Sequence, residues 1–470
     1  PEALERLDRA IALAPGDATL RFARAAHRSS LALHAGAVDD LRAAVALAPH
    51  DAAGASALLV ELHYDAALAT PGALFAAHVA WAQRHAHPPG PAAPRVRRAR
   101  LRVGYLSPRF GDAPLAALLA PVLEAHDRTR FETIAYAAHP ASGAAAERIR
   151  RAVDRWIDLP ADDDAAFARL RDDACDVLVD LAGHAPGNRL PLLSRRPARV
   201  QATWLDWFDT TGVPAIDWLV ADAVHAPAGE RDRFTERLLH LPDARFVYRP
   251  PVGIDVTPPP VLRNGYVTFG SFNRHAKLTD EVVATWARVL RAVPRSRLLL
   301  RAAAYAAPST VAWVRERWAR LGAPVDRMAF APFVALDDLH RAYADVDVAL
   351  DPFPFAGGVT TCDALAHGVP VVALRGDRMV ARQGAALLGA AGHREWVADD
   401  TEGYVTLATA LADPAQLERL RPALARGVAA SPLMDVPRFV RAFERGCEAM
   451  RDAAAGAREP LSIGAPDAAR

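Results

Sequence analysis

From residue 100 onward, short apolar runs alternate with stretches of helical periodicity, and this alternation limits the possible folds more than any other feature. The runs are apolar at nearly every position, which is typical of strands buried on both faces. Strands that alternate with helices predict βα units on a parallel sheet. The runs predicted as strands are 101–107, 131–138, 176–183, 200–206, 217–222, 266–272, 296–302, 327–332, 347–353 and 369–375.

A proline-rich stretch, 248–265, divides these runs into two groups and is typical of a connection between domains. Two successive groups of βα units predict two Rossmann-like domains. In such sheets ligands bind at the carboxyl ends of the strands. The pattern of 437–454 predicts a closing amphipathic helix.

The first part of the chain contains a repeat. Residues 7–17, "LDRAIALAPGD", recur as 41–51, "LRAAVALAPHD", and Pro15 and Pro49 occupy matching positions. The offset is that of tetratricopeptide repeats, pairs of helices that bind extended peptides on a concave face. Two repeats are few for a stable array, so we expect the chain to begin inside a longer one. The linker 87–95, rich in proline, ends this helical part.

Charge and cysteine content exclude several classes of protein. The net charge is +1, which argues against a nucleic-acid-binding protein. No apolar stretch has the length of a membrane span, so we expect no membrane partner. Cys175, Cys362 and Cys447 lie far apart, which suits a reducing, cytoplasmic environment and argues against structural zinc.

A glycine pair stands between a predicted strand and a predicted helix in 350–372, "LDPFPFAGGVTTCDALAHGVPVV". The strand is expected to end at Asp351 and the helix to start near Thr360, where Thr360 and Asp363 would form a capping box. A helix start flanked by glycine also offers N–H groups and a positive dipole end to a diphosphate. Asp363, one turn further, could then reach ribose hydroxyls.

Lys277, in "SFNRHAKLTD", is the only lysine in a chain with 56 lysines and arginines together. Arginine has replaced lysine everywhere else. The remaining lysine marks either a position where a guanidinium cannot serve or a chance survival, and composition alone leaves both open.

Five motifs, in order and at consistent spacing, resemble the protein O-GlcNAc transferase and SPINDLY family, glycosyltransferase family 41. They are "DLAGHAPGNRL", "RRPARVQATWL", "TTGVPAIDW", "SFNRHAK" and "LDPFPFAGGVTTCDAL". The resemblance implies a glycosyltransferase-B fold, in which two Rossmann-like domains face a cleft, preceded by helical tetratricopeptide repeats. The expected segments are repeats in 1–66, a helical linker in 67–99, an acceptor-side domain in 100–255, a donor-side domain in 256–432, and a closing helix and tail in 433–470.

The resemblance also assigns residues to the binding of a nucleotide-sugar donor. Lys277 matches the family lysine at the diphosphate, where it would neutralise charge on the leaving nucleotide as a catalytic residue. The other implied donor-binding residues are Arg274, Val334, Gly358, Thr360, Thr361, Asp363 and Arg382. Asp180 and His184 match polar residues near the reaction centre, and His184 could accept a proton from the acceptor. The alternative is a histidine that stabilises the turn after its strand.

Several positions depart from the family pattern. Arg109 and Ala113 replace an aspartate and a histidine, Asp206 replaces a glycine close to the sugar pocket, and Val359 replaces a threonine. These changes leave open whether activity is retained, redirected or reduced.

The resemblance implies an inverting enzyme that moves a sugar, GlcNAc from UDP-GlcNAc, onto Ser or Thr of a protein held along the repeats. It implies no metal cofactor, although "DVD" (345–347) has the form of a metal-binding D-x-D, and it allows a homo-oligomer through the repeats. One alternative is another donor, GDP-fucose or a UDP-hexose. The other is a weakly catalytic scaffold that binds nucleotide sugars and acts through its repeats.

Overall fold

Parallel strands alternate with helices along most of the chain in a computed structural model that describes residues 2–91, 93, 96, 98–250, 253–453 and 459–464. Parts of the predicted linkers, 87–95 and 248–265, lie outside the described residues. The strands are β1 (Leu101–Ser107), β2 (Phe131–Ala137), β3 (Arg155–Asp158), β4 (Val177–Asp180), β5 (Val200–Thr203), β6 (Trp218–Asp222), β7 (Arg237–Leu241), β8 (Val267–Ser271), β9 (Ser296–Arg301), β10 (Met328–Ala331), β11 (Val348–Leu350), β12 (Val371–Leu374), β13 (Val397–Ala398) and β14 (Leu461–Ser462).

The α-helices include a continuous helical part before the first strand, as the sequence predicted. They are α1 (Glu2–Leu13), α2 (Ala18–Ser30), α3 (His34–Leu47), α4 (Ala52–Glu61), α5 (Pro71–His85), α6 (Ala113–Ala125), α7 (Gly143–Ala152), α8 (Asp163–Asp173), α9 (Leu190–Ser194), α10 (Val261–Asn264), α11 (Asp280–Ala292), α12 (Pro308–Arg320), α13 (Leu336–Arg341), α14 (Val359–Ala366), α15 (Gln383–Ala390), α16 (Thr401–Ala410), α17 (Pro414–Ala429) and α18 (Val436–Asp452). None of them, within the described residues, combines the length and hydropathy needed to cross a bilayer.

The first of two compact units contains residues 1–48, 61–69 and 250–431. Its sheet has the strand order β10-β9-β8-β11-β12-β13, and the paired strands run parallel. Helices α11 and α16 pack together beside it. Because 1–48 and 61–69 belong to this unit, part of the predicted repeat segment shares its core.

The second unit contains residues 49–60, 70–249 and 432–470. Its parallel sheet has the order β14-β7-β6-β5-β4-β1-β2-β3. Helix α18 contacts α6, β7 and β4 in this unit. Phe439 and Phe443 are one turn apart and buried, and the Phe443 ring lies 4.7 Å from that of Trp204. This buried stripe explains why the predicted closing helix forms.

The predicted α/β class with two Rossmann-like halves is confirmed, since every run predicted as a strand contains one. Four strands were missed. β3 has no buried position, the three leucines of β7 are flanked by Arg237 and interrupted by His240, and β13 and β14 are two residues long. The boundaries of the five predicted segments stay predictions.

Candidate functional site

Two neighbouring strands of the first unit end side by side. β8 and β11 pair in parallel, with Phe269 opposite Val348. β9 lies on the other side of β8, so the strand order reverses between β8 and β11. Such a reversal opens a crevice beyond the carboxyl ends of the strands. The segments that leave the two strands, 272–277 and 351–358, therefore lie together at the usual position of a ligand site.

Lys277 ends the 3-10 turn that follows β8, and its side chain is buried. Its Nζ donates hydrogen bonds to the Ala356 carbonyl (2.7 Å) and to Asn273 Oδ1 (3.3 Å). The ammonium also lies 4.8 Å from the centroid of the Phe355 ring, which is a cation–π contact. The only lysine of the chain is thus held by groups from both segments of the crevice.

Asp351, the first residue after β11, was not predicted as a site residue. Its Oδ1 accepts hydrogen bonds from the Gly357 amide (2.8 Å) and the Thr361 hydroxyl (3.3 Å). Burial raises the pKa of Asp351, and the charge of Lys277 opposes that rise. Burial, together with the nearby charge of Arg274, lowers the pKa of Lys277 to about 7, and the charge of Asp351 opposes this shift. The two groups therefore form an electrostatic pair.

Helix α14 begins at Val359 with Gly358 as its N-cap and without a side-chain cap. The predicted capping box between Thr360 and Asp363 is wrong, because Thr360 already lies inside the first turn and cannot be the N-cap. Its hydroxyl donates instead to Asn273 Oδ1 (3.2 Å), the oxygen that also binds the lysine. Asn273, another residue that was not predicted, thus joins the strand β8 side of the site to the helix.

Both glycines before α14 lie close to neighbouring side chains. A Cβ at Gly357 would lie 2.5 Å from Asp351 Oδ1 and 2.8 Å from Thr360 Oγ1. A Cβ at Gly358 would lie 2.9 Å from Gln383 Nε2, and this amide donates to the Gly357 carbonyl (2.9 Å). The chain therefore enters the helix without side chains, the arrangement that suits a diphosphate at a helix N-terminus.

Asp363 is buried one turn into α14. Its Oδ1 lies 3.9 Å from Nε2 of His340, a buried histidine on α13. Tyr343 donates its hydroxyl to the Thr360 carbonyl (3.1 Å). The Tyr343 hydrogen bond thus holds the first turn of α14, and Asp363, which the resemblance assigns to the ribose, lies one turn further on.

The remaining predicted residues of this unit have different surroundings. Arg274 donates to the Tyr64 hydroxyl (3.2 Å), in the turn after α4. Arg382 donates to the carbonyls of Gly376 (3.3 Å) and Asp377 (3.2 Å), so it holds the loop after β12. Val334 is half-buried between β10 and α13. Contacts link Lys277 directly to Asn273 and through it to Thr360, and the donor-binding assignments stay predictions.

Asp180 ends β4 in the second unit, and its carboxylate closes the turn that follows. It accepts hydrogen bonds from the amides of Ala182 (3.2 Å) and Gly183 (2.7 Å) and from the Thr203 hydroxyl (3.3 Å). Burial raises the pKa of Asp180 to about 6, against the effect of these donors. The bonds show that Asp180 shapes the "DLAGH" turn, and a role in the reaction stays a prediction.

His184, also in the second unit, is buried with both ring nitrogens engaged. Nε2 lies 2.8 Å from the Thr211 carbonyl and so donates to it, which leaves Nδ1 to accept from the Ser56 hydroxyl at 3.0 Å. Trp81 and Trp207 pack around the ring at 4.6 and 5.1 Å. Burial lowers the pKa of His184 well below its ordinary value, so the ring is neutral. This geometry suits the turn-stabilising alternative, and proton acceptance by His184 stays a prediction.

Two of the departures from the family pattern contact each other. Arg109 Nη1 lies 2.9 Å from Asp206 Oδ2, and Arg109 Nε donates to Asp112 Oδ2 (2.6 Å). Asp206 thus neutralises part of the charge of Arg109, so these two departures from the family pattern compensate each other. Sequence reasoning treated the two as separate changes, because only the fold brings the ends of β1 and β5 to the same edge of the sheet.

Comparison with known proteins agrees with this architecture. The sequence profile of Glycosyl transferase family 41 matches residues 78–249 and 260–443. A solved structure, a lysine-to-methionine mutant of the Thermobaculum terrenum O-GlcNAc transferase, is similar with a TM-score of 0.89 and 35% identity, over 96% of this chain and 87% of that one.

Curated plant proteins are also similar. The probable UDP-N-acetylglucosamine–peptide N-acetylglucosaminyltransferase SPINDLY of Petunia hybrida is 36% identical over 357 residues, 73% of this chain and 38% of its own length. The protein of the same description named SEC, of Arabidopsis thaliana, is 31% identical over 74% of this chain and 36% of its own length. The chain thus spans well under half the length of these relatives.

Proposed function

Because the chain belongs to glycosyl transferase family 41, we propose that it transfers GlcNAc from UDP-GlcNAc to Ser and Thr hydroxyls of proteins, with inversion at the sugar. One observation carries the proposal: the only lysine of the chain is buried beside a glycine-flanked helix start, where the order of the parallel strands reverses. The descriptions of the plant relatives as UDP-N-acetylglucosamine–peptide N-acetylglucosaminyltransferases support this choice of donor and acceptor.

Lys277 and α14 would act on the donor diphosphate. When the bond between the anomeric carbon and the diphosphate oxygen breaks, its electron pair stays on the leaving UDP. An ammonium and a helix N-terminus in a water-poor site stabilise that charge without reorganisation. Thr360 would donate its hydroxyl to a phosphate oxygen in place of its present bond to Asn273. Asp363 would accept from ribose hydroxyls.

The acceptor hydroxyl must lose its proton as its oxygen bonds to the anomeric carbon, and we propose that Nδ1 of His184, which now accepts from the Ser56 hydroxyl, takes that proton. We assign Asp180 and His184 to the neighbourhood of this step. Their bonds to the 182–183 amides and to Thr211 suit them to hold the "DLAGH" turn in one position. The helices α1–α4, as tetratricopeptide repeats, would present the protein acceptor.

We propose transfer without a metal cofactor, since both carboxylates of the D-x-D sequence are engaged elsewhere. Asp347 accepts from the amides of Val261 (3.0 Å) and Thr268 (2.7 Å), and Asp345 pairs with Arg263 (2.6 Å). These bonds hold Asp347 inside the core at the start of β11. The positive charge of Lys277 would stabilise the leaving diphosphate, as a metal ion does in other transferases.

A panel of nucleotide sugars tests the proposed function. The chain is incubated with UDP-GlcNAc, UDP-glucose, UDP-galactose and GDP-fucose, with and without a Ser/Thr peptide library and EDTA. Released nucleotide and modified peptide are then quantified, and binding is measured by calorimetry. We expect turnover with UDP-GlcNAc that EDTA does not reduce.

The other outcomes decide between the alternatives. Turnover with GDP-fucose or a UDP-hexose alone would overturn the choice of donor and retain the enzyme class. Binding of UDP without turnover of any donor would favour the scaffold. Loss of turnover in EDTA would contradict metal-free transfer.

The pKa of Lys277 predicts the pH dependence of the reaction. The ammonium is the active form, and it is lost as pH rises through about 7, the lowered pKa of the buried lysine. We therefore expect kcat/KM, which reports the free enzyme, to fall about tenfold per pH unit above this value. The bound diphosphate stabilises the ammonium, so the decline of kcat should begin at higher pH. Initial rates measured from pH 6 to 10 test this pH dependence. A kcat/KM that does not change with pH would contradict it.

A further inference from the structure

A stack of three aromatic rings leads to the buried lysine from the N-terminal part of the first unit, residues 2–48 and 61–69, here called the helical segment. The His34 ring lies on that of Tyr64 with a centroid distance of 4.9 Å and an interplanar angle of 6°. Tyr64 stacks in turn on Phe355 at 4.6 Å and 24°. The Lys277 ammonium lies 4.8 Å from the centroid of the Phe355 ring. Both distances between rings are those of stabilising aromatic pairs.

The same two helical-segment residues also hold the turn that carries the lysine. The Tyr64 hydroxyl accepts a hydrogen bond from Arg274 (3.2 Å), and His34 Nε2 donates to the Ala276 carbonyl (2.7 Å). Glu61 lies 2.6 Å from His34 Nδ1 and fixes the ring orientation. His34, Glu61 and Tyr64 are all buried. The helical segment therefore contacts the aromatic ring that packs against the lysine and also the backbone turn that carries the lysine.

We propose that Tyr64, supported by His34, is a positioning residue of the donor site, through which the helical segment holds Phe355 and the 274–276 turn and thereby the Lys277 ammonium. The proposal rests on the proposed function for its consequence in catalysis. It adds that the helical segment, besides any contact with an acceptor, forms part of the wall that the donor site needs.

The physical effect of Tyr64 is to keep water from the ammonium. Its ring and hydroxyl cover Phe355 and Arg274, which are close neighbours of Lys277. Burial is the largest cause that lowers the pKa of Lys277, and the charged groups that face it are Arg274, from the same turn, and Asp351, from the end of β11. Truncation of Tyr64 would admit water and move this pKa toward the ordinary value of about 10.4.

The single lysine makes this measurable without turnover. The full chain, with a lysine-free tag, is grown with lysine labelled with 13C at Cε, so that its one lysine gives one Cε resonance. The resonance is followed from pH 5 to 11 in the wild type and in Tyr64→Ala, Tyr64→Phe and His34→Gln. Trp396→Ala serves as the matched control, since it removes a buried ring of the same unit just before β13, two strands from β11.

We expect the lysine of Tyr64→Ala to bind its proton at least about tenfold more tightly than in the wild type, which is a rise of one pKa unit. Tyr64→Phe keeps the stack and should titrate within a few tenths of the wild type. Trp396→Ala should also leave the titration unchanged although it lowers stability. His34→Gln keeps one donor for the Ala276 carbonyl but loses the ring, so an intermediate shift is expected.

An unchanged titration in Tyr64→Ala, with a wild-type circular dichroism spectrum, would overturn the proposal. So would an equal shift in Trp396→Ala, because the effect would then follow from general loosening of the unit. If Tyr64→Ala unfolds, Tyr64→Leu, which keeps an apolar side chain of smaller area, gives the same comparison. The titration does not depend on any donor, so a chain that fails the nucleotide-sugar panel but shows the shift would contradict only the proposed function.

Discussion

Lys277→Arg is expected to lower kcat for the proposed transfer by about 100-fold or more, the effect of removing one group that stabilises charge in a transition state. The guanidinium keeps the positive charge but is planar and larger. It cannot occupy the space between Phe355, Asn273 and the Ala356 carbonyl in the way the ammonium does. Steady-state rates with UDP-GlcNAc measure the effect on turnover, and calorimetry with UDP measures the effect on nucleotide binding.

Lys277→Met and Arg263→Lys complete this experiment. Methionine removes the charge at similar length and should abolish turnover while the fold is retained. Arg263→Lys exchanges the same two residue types at an exposed pair with Asp345 and should leave rates unchanged. Normal turnover by Lys277→Arg would mean that the lone lysine is a chance survival. Any activity that Lys277→Arg retains should not decline above pH 7, because a guanidinium stays protonated.

Gly183→Ala is expected to destabilise the second unit by about 3 kcal/mol, from a strained backbone and an overfilled core. Gly183 has φ of +50°, and a Cβ there would lie 2.2 Å from Cγ of Trp207. Trp207 packs against His184, so the "DLAGH" turn would have to move with it. Urea denaturation followed by tryptophan fluorescence gives the change in free energy of unfolding.

Gly143→Ala, in the same unit, separates the cost of the strained backbone from the cost of the contact with Trp207. Gly143 also has a positive φ, +88°, but nothing lies within 4 Å of the point that a Cβ would occupy there. Alanine at this position should cost about 1 kcal/mol from the backbone alone. Equal losses from the two variants would show that the Trp207 contact contributes nothing.

Much of the fold could be predicted because local sequence is sufficient for it. β1 and β4 are mostly apolar and buried, so they can be recognised as strands without knowledge of the elements beside them. β3, "RWID", has no buried position, and it forms only because the β2 edge offers hydrogen bonds to it. Its sequence contains no comparable signal.

The candidate site was predicted in part. The glycine pair and Lys277 stand out in the sequence, but the start of α14 was placed one residue late and the capping box was wrong. Asn273 and Asp351 went unnoticed. A polar residue after a strand is common. Only the neighbouring ends of β8 and β11 bring Asn273 into hydrogen bonds with Lys277 and Thr360, and Asp351 into hydrogen bonds at the start of α14.

Lys277 illustrates which properties of the site the sequence determines and which depend on the tertiary structure. Its uniqueness, its position after a strand and its match to a family motif follow from the sequence alone. Its environment does not, since Phe355 approaches from another strand connection and Tyr64 from the helical segment. Burial and charge depend on which groups meet in space, and these set the pKa of the lysine and its hold on a diphosphate. The sequence therefore determined which residue carries the charge, and the tertiary structure decided how that charge is held.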